Sequence, residues 1–401
     1  MTMRLAGKYL SILVAVTFLL GMAGCGIGKI FPNGLFGCTS NCSTSTAPPE
    51  FLFATSAGHI ASFTVNQSNG GLSAPLVVAG PGQSAGMSGS VTEGYLYVSD
   101  FLNDAVDGYS MDPSSGALTL IASSPFALGG AAPGGGGLSM FLQGGDTFLY
   151  ATDMNAGTVA GFNYDSASGT LTTIPGSPFP AGDSPVQAVQ NGFFLYVSDL
   201  NDSAGGISAY ALSAQNGAAT PLPGSPFPTG APGSFPGPSA LAIMNNFLYV
   251  ALAGTATPGN QVAAFAINSD GSLTPVPGSP FTTGSGPTQI ASVPVTSTTQ
   301  AFLYTANVQD GTISAFTAND SNGILTPVSG SPYTSGTSIG SVVASLTFTD
   351  SGNFFLYASD PQAETINAFT VDATTGALTP ISGSPFPAGS AATLLTVVTN
   401  P

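Results

Sequence analysis

Residues 194–199 read Phe-Leu-Tyr-Val-Ser-Asp, and the aromatic-Leu-aromatic tripeptide at their head occurs seven times in the chain. The copies are Phe51-Leu52-Phe53, Tyr95-Leu96-Tyr97, Phe148-Leu149-Tyr150, Phe194-Leu195-Tyr196, Phe247-Leu248-Tyr249, Phe302-Leu303-Tyr304 and Phe355-Leu356-Tyr357. Successive leucines stand 44, 53, 46, 53, 55 and 53 residues apart. A repeat of about 40–55 residues carrying only strand signals belongs to a β-propeller. The stretch is apolar at odd and even positions alike, so the strand it predicts must be covered on both faces.

Each marker opens the same series of elements. A loop leads to a strand such as Ile313-Ser314-Ala315-Phe316, whose aromatic recurs as Phe63, Tyr109, Phe162, Tyr210, Phe265, Phe316 and Phe369. The residue before it is always small: Ser62, Gly108, Gly161, Ala209, Ala264, Ala315 or Ala368. A ring on one face and a small residue on the other let twisted sheets stack. A turn then ends on a glycine, Gly116, Gly169, Gly217, Gly271, Gly323 or Gly376, with Gly70 or Gly71 in the first copy. Glycine suits a left-handed turn position, and the leading Asp or Asn can bond its own backbone. The unit closes on a stretch such as Leu378-Thr-Pro-Ile-Ser-Gly-Ser-Pro-Phe386, whose prolines fit an outer edge strand.

A further strand precedes each marker from the second copy on, as at Ser239–Ile243, but none precedes the first. The chain ends instead on Ala392–Val398, a strand with no marker after it. The expectation is an all-β, seven-bladed propeller of four-stranded blades over residues 50–401, its ring closed by the C-terminal strand pairing into the first blade.

The first 49 residues stand outside this repeat. Arg4 and Lys8 precede an apolar run, Leu10–Leu20, and Met22-Ala23-Gly24-Cys25 follows, the layout of a secretory signal. The run is too short to span a bilayer comfortably, which takes about 20 residues. The four residues ending at Cys25 resemble the bacterial lipobox, which implies a signal peptide of residues 1–24, cleavage before Cys25 and acylation of that residue. An ordinary signal peptide with an incidental cysteine is the alternative. Gly26 after the cysteine resembles the sorting pattern for the outer membrane, so the expected address is the cell envelope, facing the periplasm or the surface. Residues 25–49 then form a lipid-anchored tether, in which Cys38 and Cys42 either pair as a disulfide or stay idle.

Charge restricts function most. The only basic residues are Arg4, Lys8 and Lys29, and all nineteen Asp and Glu lie from Glu50 onward, so the repeat region carries a charge of −19. Nucleic acid needs cationic side chains to displace its counterions, and anionic lipid needs them for attraction. Neither is an expected partner; the membrane is met only through the anchor. The crowded carboxylates repel one another, which raises their pKa values and predicts tolerance of mild acid.

Two features, Phe194–Asp199 and the turn-plus-strand Thr375–Phe386, carry a resemblance over residues 50–401 to the bacterial lactonase-like propellers, a family that includes 6-phosphogluconolactonase and the YVTN-repeat surface proteins. The resemblance implies a seven-bladed fold and, in members with known activity, lactone chemistry on anionic substrates at sites drawing on His, Arg and carboxylates. This chain has no Arg or Lys in the repeat region, so an anionic sugar acid would be repelled and no catalytic residue carries over.

The residues offer few alternatives. His59, the only histidine, lies beside glycine in a loop. Two Gly-x-Ser-x-Gly strings, Gly82–Gly86 and Gly336–Gly340, lack the strand-turn-helix setting of a nucleophile elbow. The glycine run 129–137 precedes a strand, not a helix, so it cradles no phosphate. Asp100, Asp153, Asp199 and Asp360 share one repeat position, with Asn307 in the sixth copy. They read either as an acidic rim or as carboxylates capping their own turns. Oxygen-rich loops at Asp100, Asn103, Asp104 and Asp107, and at Asp199, Asn201 and Asp202, suit Ca2+ chemically but match no known calcium loop; no other cofactor is implied. Two functions follow: a cell-envelope binding or scaffold module for a neutral glycan or an envelope protein, the favoured reading, or a lactonase-like hydrolase acting on a neutral lactone.

Overall fold

The computed structural model describes residues 49–398, apart from 85, 91–93, 131–134, 144–145, 203–204, 231–233, 235, 255–258, 295–299, 337–338, 341 and 347–353. Cys25, Cys38 and Cys42 lie outside the described residues. Those described form seven antiparallel sheets and no helix.

Blade 4 shows the plan. Its innermost strand, Pro185–Asn191, pairs with the marker strand Phe194–Asp199, which pairs with Gly206–Leu212. The outer strand is broken in two: Ala219–Pro221 and Phe227–Pro228 both pair with Gly206–Leu212. Blades 2 to 7 all share this split. The sequence suggested a single outer strand. The break arises where the small residue of the third strand gives its N–H to a serine hydroxyl instead of a carbonyl. Gly108, Gly161, Ala209, Ala264, Ala315 and Ala368 donate to the Oγ of Ser124, Ser177, Ser225, Ser279, Ser331 and Ser384, at 2.8–3.0 Å.

Blade 1 is assembled from both ends of the repeat region. Leu394–Val398 pairs antiparallel with Glu50–Ser56, Val398 opposite Phe51 and Leu394 opposite Thr55, so the expected closure is present. The innermost strands neighbour one another in blade order, and Leu394–Val398 touches both Val342–Leu346 of blade 7 and Met87–Ser90 of blade 2.

The core lies between blades. Each buried apolar cluster draws on two neighbours; one joins Phe302, Tyr304 and Ile313 of blade 6 to Leu356, Ala358 and Phe369 of blade 7. Marker strands are buried on both faces, as their composition requires. Every joint also has the first aromatic of a marker packed against the turn glycine of the next blade. Gly376, at φ +72°, lies against the Phe302 ring so closely that a Cβ there would stand 2.4 Å from Phe302 Cδ1. The glycine thus meets two demands, a left-handed backbone and a ring in van der Waals contact. At six joints the marker tyrosine completes the fastening. Tyr97, Tyr150, Tyr196, Tyr249, Tyr304 and Tyr357 donate to the carbonyls of Gly169, Gly217, Gly271, Gly323, Gly376 and Gly70, at 2.5–3.1 Å. Blade 1 has Phe53 at this position, so its joint with blade 2 lacks the hydroxyl.

Candidate functional site

One face of the ring collects the start of each innermost strand, the end of each marker strand and the crossovers between blades. Four innermost strands carry an extra residue here. Pro185 to Ala188 spans three steps against two from Asp199 to Val197, and blades 3, 5 and 6 bulge at the same end. Bulges redirect side chains at the rims of closed sheets. Around them runs a belt of neutral hydrogen bonds from blade to blade. Thr152 Oγ1 donates to Val186 O at 3.0 Å, Ser198 Oγ to Ser239 O at 3.2 Å, and Ser239 Oγ to Pro287 O at 3.1 Å. Gln187 Oε1 accepts the Leu241 N–H at 2.7 Å. On the same innermost strands both amide atoms of Gln190 and the hydroxyl of Thr288 are buried with no partner. The innermost strands of blades 4 and 6 therefore hold buried neutral hydrogen-bonding groups without a partner.

The repeated carboxylates sit on this face but are not presented as a rim. Asp100, Asp153, Asp199 and Asp360 are 4, 0, 0 and 1 % exposed, and Asn307 is 0 % exposed. The crossovers lie on top of them: a Cβ on Gly182 would stand 2.4 Å from the Asp199 carboxyl carbon, and one on Gly336 would stand 2.3 Å from Asp360 Oδ2. Asp100 accepts the N–H groups of Leu102 and Asn103 and the Asn103 amide. Asp199 Oδ2 accepts the Ser208 hydroxyl at 2.7 Å and its N–H at 3.1 Å, while Oδ1 accepts the Gly182 N–H. Asn307 meets the matching Ser314 hydroxyl at 2.8 Å. These are capping groups, which is why Asp and Asn exchange at this position.

Burial shifts several of the acids on this face. Asp199 is pushed up to about 7 by loss of solvent, against its hydrogen bonds from Ser208 and Gly182. Desolvation, then the Asp100 charge, raises Asp107 to about 6. Desolvation, then the charge of Asp153, raises Asp104 to about 6. Acids poised near neutrality suit proton transfer, though the same shift follows from burial alone.

The other candidates gain little. His59 is exposed and its Nδ1 lies 3.2 Å from Ala57 O, a local contact. Ser84 of the first Gly-x-Ser-x-Gly string donates to Thr55 Oγ1 at 2.8 Å in a part-buried, helix-free setting; Ser338 of the second lies outside the described residues. Among the described residues no three His, Cys, Asp or Glu side chains gather as a metal cluster. The sequence missed the neutral belt, because hydroxyls at 152, 198 and 239 carry no signal until the blades are closed into a ring.

Comparison with known proteins places this geometry. Residues 244–388, from the end of the innermost strand of blade 5 to blade 7, match the family model described as Lactonase, 7-bladed beta-propeller. No curated protein sequence matches the chain. A candidate 6-phosphogluconolactonase from Bacteroides fragilis is similar in structure at a TM-score of 0.66 and 20% identity, over 89% of this chain and 100% of that one. The periplasmic gluconolactonase PpgL of Pseudomonas aeruginosa is similar at 0.65 and 18% identity, over 88% and 100%. A functionally unknown protein from Desulfotomaculum acetoxidans is similar at 0.62 and 14% identity, over 88% and 99%. At these identities the likeness to solved structures is one of fold. Seven sheets closed by the C-terminal strand make the chain a seven-bladed β-propeller, and its later blades, residues 244–388, are similar to the lactonase propeller family.

Proposed function

We propose that the chain is an exported, lipid-anchored hydrolase that opens an uncharged lactone on the bulged face of its ring. The observation that carries this reading is a lactonase-type propeller in which no Lys or Arg follows Lys29. Without a Lys or Arg side chain the face has no charged donor to hold a phosphate or carboxylate, and the charge of −19 from Glu50 onward repels both. A neutral ring ester meets neither obstacle, and the neutral hydroxyls and amides of the innermost strands match the chemistry of its oxygens. Ring opening adds water to the ester carbonyl, breaks the bond to the ring oxygen and returns a proton to that oxygen. Apart from exposed His59, carboxyl groups such as Asp107 would have to move that proton.

The test is a panel of neutral, carboxylated and phosphorylated lactones on the purified protein, with acid release followed at constant pH. The expected result is turnover of neutral members and none of phosphorylated ones. No turnover of any member would refute it. The anchor is tested separately: labelled fatty acid should be incorporated, and Cys25→Ala should abolish incorporation.

A second reading, a binding module for a neutral glycan or an envelope protein, draws on the burial of the capping carboxylates under the crossovers. Glycan binding that persists without turnover would favour it.

A further inference from the structure

The repeat supplies its own control for one joint. In blades 4 and 6 the marker-end Asp199 and Asn307 are satisfied by a hydroxyl two residues from the end of the facing pairs, Ser208 and Ser314. In blade 3 that position is Ala160, which has no hydroxyl to give. Asp153 Oδ1 still accepts the N–H groups of Asn155 and Ala156, at 3.2 and 3.0 Å. Its Oδ2 is buried and has no partner, in a residue with no exposure at all. The group that comes in instead is Asp104, from the loop of blade 2, and the two carboxyls stand within hydrogen-bonding reach of each other. One Asp104 oxygen takes the Gly130 N–H; Oδ1 is buried and unpartnered. Directly across the strand pair from Asp153 is Thr158, whose Oγ1 is buried and unpartnered too. Three unpartnered oxygens, two of them from acids, therefore belong to neighbouring residues where blades 2 and 3 meet.

A fully buried carboxylate within reach of a second, half-buried one favours a neutralising partner between them. No side chain can do it, since the propeller has neither Lys nor Arg and its one histidine is exposed in blade 1. The remaining agents are a proton or a metal ion. Carboxylates with a neutral hydroxyl form a hard, all-oxygen donor set, and the charge of two acids matches a divalent ion. A hydroxyl with nothing to bond adds a ligand that a shared proton would leave unused.

We propose that Asp104, Asp153 and Thr158 bind a Ca2+ ion that staples blade 2 to blade 3, with water completing its shell. The site is independent of the proposed lactone chemistry. Of the other acids on these elements, Asp100 is engaged by its own loop and Asp107 by Tyr109. Metal ligation needs the carboxylates deprotonated, so the Ca2+ effect should weaken as the solution is made acidic.

The experiment is thermal unfolding of the chelator-treated full chain at pH 7.5 against added CaCl2, with MgCl2 as a second arm. Terbium luminescence, displaced by Ca2+, gives an independent reading of occupancy. The expected result is a melting temperature that rises by several degrees with Ca2+. D104N and D153N should weaken half-saturation at least tenfold, T158V less so, and D199N should leave it unchanged. Absence of any Ca2+ response, or a response that survives D153N, overturns the proposal. So does stabilisation by acid alone that D104N abolishes, which would make the pair a shared-proton clasp. Lactone turnover enters none of these readouts.

Discussion

Removing one hydroxyl from one joint should measure what holds the ring together. In Tyr304→Phe the ring stays, and so does the neighbouring contact of Phe302 with Gly376. What goes is a donor 2.8 Å from the Gly376 carbonyl, at a residue with no solvent exposure. Net loss of a hydrogen bond is about 0.5–1.5 kcal/mol, and a carbonyl stranded out of reach of water brings the cost to roughly 1–3 kcal/mol. Burial drives the Tyr304 hydroxyl far above its ordinary range, so it stays a donor through any practicable pH, and the loss should be the same at pH 5 and pH 8. Equilibrium unfolding in guanidinium, followed by far-UV circular dichroism and tyrosine fluorescence, would read it. The converse exists in nature's own copy: Phe53 leaves the joint of blades 1 and 2 without the hydroxyl. Phe53→Tyr, donating to Gly116, should return about 0.5–1.5 kcal/mol. A loss below about 0.5 kcal/mol for Tyr304→Phe, or one that varies with pH, would refute the view that these bonds fasten the blades.

Four further outcomes are expected. Gly376→Ala forces a Cβ into the Phe302 ring at φ +72° and should cost roughly 2–4 kcal/mol, read as a lower unfolding midpoint. Asp199 holds its folded-state proton to about pH 7, whereas an unfolded Asp gives it up near 3.8. Its stabilisation is thus complete below 3.8 and lost as pH rises through 7, on the order of 4 kcal/mol at ~1.4 kcal/mol per pH unit. Asp199→Asn, mimicking Asn307 of blade 6, should flatten that slope and raise stability at pH 8; an unchanged slope in a pH series of melts would contradict it. The exposed turn acid Asp112 is held near 2 by Ser114 and Ser115, so its contribution disappears only below the usual carboxylate range, and the stability maximum should fall in mild acid. Truncation after residue 393 removes the strand that pairs with Glu50–Ser56 and should abolish cooperative unfolding, monitored by calorimetry.

The sequence alone determined the blade count, the strand types and the closure. These rest on local periodicity: a two-faced apolar marker, a ring beside a small residue, a turn glycine, and one strand missing at the head and found at the tail. The absence of Lys and Arg after Lys29 likewise excluded partners before any coordinate was considered. Only the tertiary structure decided what the repeated polar residues do. Tyr304 reaches Gly376 across 72 residues and Tyr357 reaches Gly70 across 287, because each marker bonds the blade beside it rather than its own. Asp153 and Asp199 look alike in the chain, yet one is satisfied by Ser208 and the other faces Asp104 of the preceding blade. The difference is a hydroxyl at 208 against a methyl at 160, on a neighbouring strand. Periodicity reports what repeats along the chain; hydrogen bonding and charge compensation depend on what ring closure brings side by side.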